Sequence, residues 1–304
     1  MSAASMAPPA RGGRVAGAGR RGRAATFARG GRHAWVALVS AVLLIWTFLP
    51  VYNIVRVSLQ TKEEVLSTSV LPVSPSTIAF ETVFNQAYWL LKTFWSQMGN
   101  SFYIGIAVAL LTLTIGTLTS FVIGRMRTRN GWMLTHAALL TYTIPMSFLA
   151  IPFYGIMGKY GLTNNPIAVI AVEVTFATPY AIFIFQQYGR SIPMELDEAA
   201  RIDGASPLQI FLRVYLPLMA PALVAIGTYA LLLSWNEYLY AFLLLSGGTV
   251  VTVPVALGKF LAGDEAPWNL LMAAAIIYAI PPLAIYYGVR RKMTSGLTMG
   301  GVKG

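Results

Sequence analysis

Two acidic residues lie inside apolar stretches of this 304-residue chain and are its first candidates for chemistry. Each stretch is long enough to cross a bilayer, where an isolated carboxylate is costly unless it is paired, hydrated or functional. One acid also belongs to the segment 234–240, Ser-Trp-Asn-Glu-Tyr-Leu-Tyr, whose rings and polar groups suit the C–H faces and hydroxyl edges of sugars. The alternative is an interfacial aromatic belt beside a hydrogen-bonded structural glutamate. The pattern predicts a substrate pathway lined by Trp235, Asn236, Glu237, Tyr238 and Glu173.

The sequence lacks the residue sets that most catalytic and cofactor sites use. The chain has no cysteine, so thiolate nucleophiles and cysteine metal sites are excluded. Its two histidines, His33 and His136, are far apart in sequence, so we expect no metal site and no Ser/His/Asp set. The phosphate-binding pattern G-x-x-x-x-G-K-[ST] does not occur in the sequence. We therefore expect a non-enzymatic chain without a cofactor of its own.

Composition places the chain in a membrane. Hydrophobic residues make up 56% of the chain and charged residues only 11%, against about 25% charged in soluble domains. The length fits one helical bundle rather than several domains. Stretches long enough to span about 30 Å of hydrocarbon predict an all-α bundle of six transmembrane helices, at 34–58, 98–124, 132–157, 167–189, 217–245 and 270–289.

The placement of basic residues predicts the orientation. Residues 1–33 are rich in Gly, Ala and Arg and predict a disordered cytoplasmic tail, followed by a transmembrane domain at 34–304 and a cytoplasmic tail at 290–304. With both termini in the cytoplasm, 17 of the 22 lysines and arginines fall on the cytoplasmic side. The net charge of +11 is thereby explained by membrane orientation, so no nucleic-acid partner is required.

Small residues and prolines inside the predicted spans indicate how they pack and bend. Gly116, Ser120 and Gly124 form two small-xxx-small steps that permit close helix approach, and we expect ordinary packing within the chain. The third and fourth spans contain Pro145, Pro152 and Pro179, and the sixth contains Pro281-Pro282, all of which interrupt the backbone ladder. Such breaks are tolerated where neighbours or a water-filled cavity satisfy the freed groups.

The segment 191–217, called here the polar segment, interrupts the apolar second half of the chain. Its sequence predicts two short helices: Ser191 caps the first and Gly204 ends it. Ser206 then starts the second through a capping box with Gln209. Leu208, Phe211, Leu212 and Tyr215 are spaced to form one apolar face of that helix. The local pattern alone fits either a surface helix–turn–helix or a docking site.

The spacing within the polar segment resembles the EAA signature of ABC-importer permeases. Glu198-Ala199-Ala200, then Gly204, Val214 and Leu216-Pro217, match it, with valine at 214 where the family usually has isoleucine. In that family this region is the coupling helix, which docks on a cytoplasmic ATP-binding subunit. The resemblance implies a coupling role for Glu198, Ala199, Ala200, Arg201, Asp203, Gly204 and Pro217.

Residues 34–304 are similar to the smaller permease of maltose-type carbohydrate importers. The similarity implies a heterodimer with a second permease, two ATP-binding subunits that hold ATP and Mg, and an extracytoplasmic substrate-binding protein. It further implies a bacterial inner-membrane location in contact with lipid, and a C-terminal tail (Gly300, Gly301, Lys303) placed at the ATPase. The expected function is import of a sugar or sugar derivative. The alternatives are an ion-coupled secondary transporter that uses Glu173 and Glu237, and a membrane scaffold without transport activity.

Overall fold

The computed structural model describes residues 18–67, 69–126, 130–247, 250–262 and 267–298, and every regular element within them is helical. The predicted ATPase-contacting tail residues Gly300, Gly301 and Lys303 lie outside these ranges, as do residues 1–17. Contacts divide the chain into two units, Met1–Val55 and Arg56–Gly304. All the contacts that follow lie within the second unit.

Thirteen α-helices occur in the described residues. They are α1 (Ala18–Ser58), α2 (Ile78–Phe84), α3 (Phe94–Arg125), α4 (Gly131–Leu140), α5 (Ala150–Lys159), α6 (Pro166–Gly189), α7 (Glu195–Ile202), α8 (Pro207–Ile210), α9 (Leu216–Leu218), α10 (Ala220–Trp235), α11 (Leu239–Leu244), α12 (Val253–Gly258) and α13 (Trp268–Thr298). A π-helical turn, Phe211–Tyr215, joins α8 to α9.

The described residues contain four to six candidate membrane spans. Four are single apolar helices, at Trp35–Ser58, Trp89–Arg125, Pro166–Gly189 and Trp268–Arg290. Two further candidates are bent pairs, Gly131–Thr143 with Met146–Lys159 at 88° and Pro207–Leu218 with Ala220–Trp235 at 78°. The membrane-bundle prediction is therefore confirmed at this level, with six spans if each bent pair crosses the membrane once.

The predicted third span, 132–157, is broken rather than continuous. A proline has no N–H and disfavours the helical conformation of the residue before it. Ile144, which precedes Pro145, is accordingly extended, with φ −85° and ψ 119°.

Near the N-terminus, α1 begins at Ala18, inside the segment for which disorder is predicted. Ala and Arg are both good helix formers, which favours helix in 18–33.

Helix α3 forms the centre of the bundle and packs most extensively against α6 and α10. A Cβ added at Gly116 would lie 3.1 Å from the Cβ of Ala181 and from the Phe185 ring, so glycine allows α3 and α6 to approach closely. Ser120, one turn further, forms a 3.0 Å hydrogen bond with the Tyr215 hydroxyl. The prediction that these small residues serve packing within the chain is confirmed at both positions.

Candidate functional site

The first helix of the polar segment, α7, carries acidic residues in its first turn and Arg201 in its last, an arrangement that the helix dipole favours. The prediction that Ser191 caps this helix is wrong. The N-cap residue is Met194, and its side chain makes no capping bond. The Ser191 hydroxyl instead donates to the Tyr188 carbonyl at 2.7 Å, because Ser191 directly follows the end of α6 and can reach its last carbonyls.

Gly204 ends α7 as predicted, in the left-handed conformation with φ +83°. The Gly204 N–H donates to the Arg201 carbonyl at 3.0 Å, and the Ala205 N–H donates to the Ala200 carbonyl at 2.9 Å. These two bonds form a Schellman motif, which satisfies carbonyls that the helix end would leave unpaired. The joint between the two helices is therefore sharply defined by the backbone.

The capping box at the start of α8 is confirmed. The Gln209 N–H donates to Ser206 Oγ at 3.3 Å, and the Ser206 N–H donates to Gln209 Oε1 at 2.7 Å. The apolar face predicted beyond it is only partly correct: Phe211 and Tyr215 are buried, whereas Leu208 and Leu212 are exposed. A π-helical turn with i→i+5 spacing begins at Phe211, so the 3.6-residue pattern does not continue through Tyr215.

Most of the residues predicted to couple the chain to an ATPase lie on one exposed stretch. Glu198, Ala199, Arg201, Asp203 and Gly204 are exposed, as is Pro217 further along, while Ala200 is half-buried. Ile202, between two of them, is 87% exposed. An isoleucine left almost fully accessible among charged side chains gives this stretch an apolar tip that nothing in the described residues covers.

Arg125, at the C-terminal end of α3, holds the polar segment against the bundle through buried polar contacts. Its guanidinium donates to the carbonyls of Gly189 and Ile192 at 3.2 and 3.0 Å. Its Nε lies 3.6 Å from Asp197 Oδ2, and both side chains are buried. In the sequence, Arg125 is only one of the 17 basic residues whose placement predicts the orientation. Its one sequence signal was its position as the first arginine after a long apolar span.

Tyr215 completes this contact region from the π-helical turn. Its ring lies under the Arg125 guanidinium, 5.5 Å from centroid to Cζ, and its hydroxyl bonds Ser120. A Cβ at Gly189 would lie 2.8 Å from the Tyr215 hydroxyl oxygen. The glycine thus provides the space that the tyrosine hydroxyl needs, and α3, α6 and the polar segment meet at one point.

The residues predicted to line the substrate pathway separate into two groups. Trp235 is buried and stacks on Tyr278, with ring centroids 4.6 Å apart and 14° between planes. Glu237 accepts the N–H groups of Tyr240 and Ala241, each at 2.9 Å, and so caps α11. Buried Trp235 is therefore held by ring stacking, and half-buried Glu237 by its bonds to backbone N–H groups.

The remaining members of that set differ in exposure. Glu173 is buried in α6, and its Oε2 has no hydrogen-bond partner among the described residues. Asn236 and Tyr238 are exposed, and the Tyr238 ring stacks on Phe242 at 5.6 Å. Only these last two present polar groups at the surface of the chain.

Sequence analysis missed a cluster of three tyrosines beside the break in the third span. Tyr180 and Tyr229 lie with ring centroids 4.8 Å apart, and Tyr142 lies 6.2 Å from Tyr180. The Tyr142 hydroxyl donates to the Phe176 carbonyl at 2.7 Å and lies 3.4 Å from the Tyr229 hydroxyl. The three come from separate segments, so no local spacing could have revealed them.

Within the described part of the chain, no group of three or more His, Cys, Asp or Glu side chains is arranged to hold a metal ion. The site geometry is instead that of a polar helical segment anchored to a bundle of straight and bent apolar helices.

The chain belongs to the family described as binding-protein-dependent transport system inner membrane component, which matches residues 116–297. It is thus an ABC-transporter permease subunit of the inner membrane, and not an enzyme. ATP hydrolysis in such systems is the task of a separate subunit. This membership separates the chain from ion-coupled secondary transporters, in which Glu173 and Glu237 would have been coupling sites.

Curated relatives span almost the whole chain. The trehalose transport system permease protein SugB of Mycobacterium tuberculosis is 31% identical over 275 residues, covering 90% of this chain and 98% of that protein. The arabinooligosaccharides transport system permease protein AraQ of Halalkalibacterium halodurans is 29% identical over 277 residues, covering 89% and 96%. A crystal structure of a bacterial ABC transporter that imports alginate matches with a TM-score of 0.69 and 25% identity, covering 85% of this chain and 96% of that one.

Proposed function

We propose that this chain is the permease subunit of an ATP-driven, binding-protein-dependent importer of a sugar or sugar derivative. The named substrates of its relatives, trehalose, arabinooligosaccharides and alginate, are all carbohydrates. A second homologous permease forms the other half of the pathway. Two ATP-binding subunits hold ATP and Mg on the cytoplasmic side, and a soluble binding protein delivers the sugar from outside.

The proposed topology has six spans with both termini in the cytoplasm. It counts each bent pair as one span and follows the placement of 17 of the 22 lysines and arginines on one side. Residues 191–206 of the polar segment then face the cytoplasm between the fourth and fifth spans, and its second helix begins the bent fifth span. A contact of the C-terminal residues Gly300, Gly301 and Lys303 with the ATPase stays a prediction from the family resemblance.

The polar segment is proposed to couple the permease to the ATPase. The observation that carries this proposal is the exposed stretch Glu198–Gly204 with its apolar tip at Ile202, 87% exposed. Interface hot spots are apolar or aromatic anchors that fill a pocket of the partner. A cleft of about 490 Å³, lined by residues that include Glu198 and Arg201, opens beside α7 and can receive partner side chains.

Arg125 anchors the exposed stretch Glu198–Gly204 to the helical bundle. Its contacts with Gly189, Ile192 and Asp197 join the polar segment to the end of α3. Because α3 packs against α6 and α10, a displacement of α7 by the ATPase reaches the centre of the bundle. This linkage supports a mechanism of alternating access, in which closure of the ATPase pair opens the pathway outward.

The pathway wall is proposed to include Asn236 and Tyr238 and the tyrosine cluster formed by Tyr142, Tyr180 and Tyr229. Hydroxyl and amide groups at membrane depth require polar partners. Aromatic rings with polar tips provide both an apolar face and hydrogen-bonding groups, as a carbohydrate requires. The contacts of Trp235 and Glu237 support the alternative role for both, packing and helix capping, and pathway lining by Glu173 stays a prediction.

The test is sugar uptake by the complete transporter reconstituted in proteoliposomes with its binding protein. Glu198→Lys reverses a charge in the docking stretch, and Gly204→Pro replaces a residue at φ +83° with one fixed near −65°. Both variants should insert and assemble in the membrane but lose ATP-dependent uptake. Glu195→Lys, a charge reversal at an exposed position on the same helix, is the matched control. Normal uptake by both variants would refute the coupling assignment.

A further inference from the structure

A second cavity, which shares Arg125 and Met194 with the cleft beside α7, lies between the end of α3, the start of α4, the end of α6 and the polar segment. Its volume is about 420 Å³, within the range of about 300–1,000 Å³ typical of small-molecule sites. Gly124, Trp132 and Arg190 are its exposed members and lie at its mouth, whereas Gln186 is buried deeper. Arg125, Gly189 and Tyr215 of the anchor form part of its wall, but the coupling role assigns no ligand to the open space.

The wall of this cavity carries positive charge and hydrogen-bond donors. Among the described residues that line it are two arginines, Arg125 and Arg190, and no aspartate or glutamate. Gln186 Oε1 accepts a 2.7 Å bond from Thr135, while Gln186 Nε2 is buried without a partner among the described residues. A buried donor left unpaired costs about 1–3 kcal/mol. The wall therefore favours a ligand rich in acceptor oxygens and negative charge, which describes a phosphate group.

The mouth of the cavity has the character of a membrane surface. Trp132 is 69% exposed beside Arg190, and tryptophan and arginine are enriched where spans leave the bilayer. Basic pockets between transmembrane helices on the cytoplasmic side bind the headgroups of anionic lipids.

We propose that this cavity binds the headgroup of an anionic phospholipid. The phosphate lies between Gln186 and Arg190, and the glycerol and acyl chains leave past Trp132 and Gly124. The cavity shares Arg125 with the anchor of the polar segment. Headgroup binding therefore stabilises that anchor. The site requires a membrane location but not the proposed sugar specificity.

The experiment is native mass spectrometry of the purified transporter complex, titrated with phosphatidylglycerol, with phosphatidylcholine of the same acyl chains, and with inorganic phosphate. Both lipids carry the phosphate, but the two arginines of the cavity repel the choline cation, so phosphatidylglycerol should bind about tenfold more tightly than phosphatidylcholine. Arg190→Gln should remove that preference, and Arg190→Lys should keep most of it. Arg213→Gln, at an exposed arginine that does not line the cavity, is the matched control.

A second variant tests whether the lipid occupies the open space of the cavity, whereas the Arg190 variants test its charge. A Cβ at Gly124 meets nothing within 4 Å, so Gly124→Leu can fold with its side chain in the cavity, where it should displace phosphatidylglycerol. Gly158 also has open space around it, and Gly158→Leu should bind lipid as the wild type does. A rise in melting temperature with phosphatidylglycerol, absent in Gly124→Leu, would show that the headgroup stabilises the anchor.

Three outcomes would overturn the proposal. The first is equal binding of the two lipids, or a preference for phosphatidylglycerol that survives both Arg190→Gln and Gly124→Leu. The second is binding of inorganic phosphate alone, which would assign the cavity to a soluble phosphate. The third is binding that is seen only when the partner subunits are removed, which would mean that a protein covers the cavity. None of these readouts depends on transport, so a failure of the proposed sugar import would leave the lipid result standing.

Discussion

The guanidinium of Arg125 and the carboxylate of Asp197 form a buried ion pair between the end of α3 and α7, with Nε 3.6 Å from Oδ2. Removing one partner of such a pair costs about 3–5 kcal/mol, because the other charge is left buried without compensation. Because separating the two charges is costly, the pair fixes the orientation of α7 relative to α3 and the membrane bundle.

Arg125→Gln and Asp197→Asn should each destabilise the protein by about 3 kcal/mol. Their combination should cost clearly less than the sum of the two, because the double variant leaves no unpaired charge. Unfolding in detergent, followed by circular dichroism, measures all three. Arg213→Gln, at an exposed arginine, should change stability by less than about 0.5 kcal/mol. Additive effects of the two substitutions would contradict a direct interaction.

Gly189→Ala should displace the Tyr215 hydroxyl, since the added Cβ would lie 2.8 Å from its oxygen. Overpacking of this kind costs about 1–3 kcal/mol. Tyr215→Phe removes the oxygen, so the alanine should be tolerated much better in that background. Melting temperatures of the two single variants and the double variant test this coupling. An alanine that is equally harmful with phenylalanine at 215 would disprove the close contact.

Ile202→Ser should weaken association with the ATP-binding subunit while leaving the permease as stable as before. The side chain is 87% exposed, so little apolar contact within the chain is lost, whereas a hot-spot anchor is worth about 2 kcal/mol or more at an interface. Co-purification of the ATPase at increasing dilution measures the effect. Leu66→Ser, at a position 86% exposed outside the polar segment, should leave co-purification unchanged.

Glu237→Gln should lower stability by about 1–2 kcal/mol, because an amide has one acceptor oxygen where the carboxylate serves two backbone N–H groups. Sugar uptake per folded transporter should stay close to the wild-type value. Thermal unfolding and uptake, measured on the same preparation, separate the two effects. A loss of uptake at unchanged stability would assign Glu237 to the pathway instead.

Structural features that depend only on residues close in sequence could be predicted from the sequence. The capping box between Ser206 and Gln209 and the left-handed Gly204 involve residues close in sequence, and both form as expected. The π-helical turn at Phe211–Tyr215 could not be foreseen, because its shift of the apolar face follows from packing against distant helices. The contact between Arg125 and Asp197 joins residues that only the folded chain brings together.

The transmembrane spans show the same distinction between local features, which the sequence predicts, and features that depend on packing, which it does not. Apolar length located the long helices, and the proline at 145 marked the right place for a break. Length alone could not give the 88° angle, which the neighbouring helices determine. In the intramembrane set, residue type indicated a pathway, whereas contacts show that Trp235 packs on Tyr278 and Glu237 caps α11.

The broken third span has an electrostatic consequence. The helical segment that ends at Thr143 and the one that begins at Met146 bring a carbonyl end and an N–H end together between the two halves. Each end carries about half an elementary charge, of opposite sign. The backbone alone thus provides a local dipolar field next to Tyr142, without an ionisable side chain. Such a field favours a neutral solute rich in hydroxyl groups over a bare ion, which gains from one end but is repelled by the other.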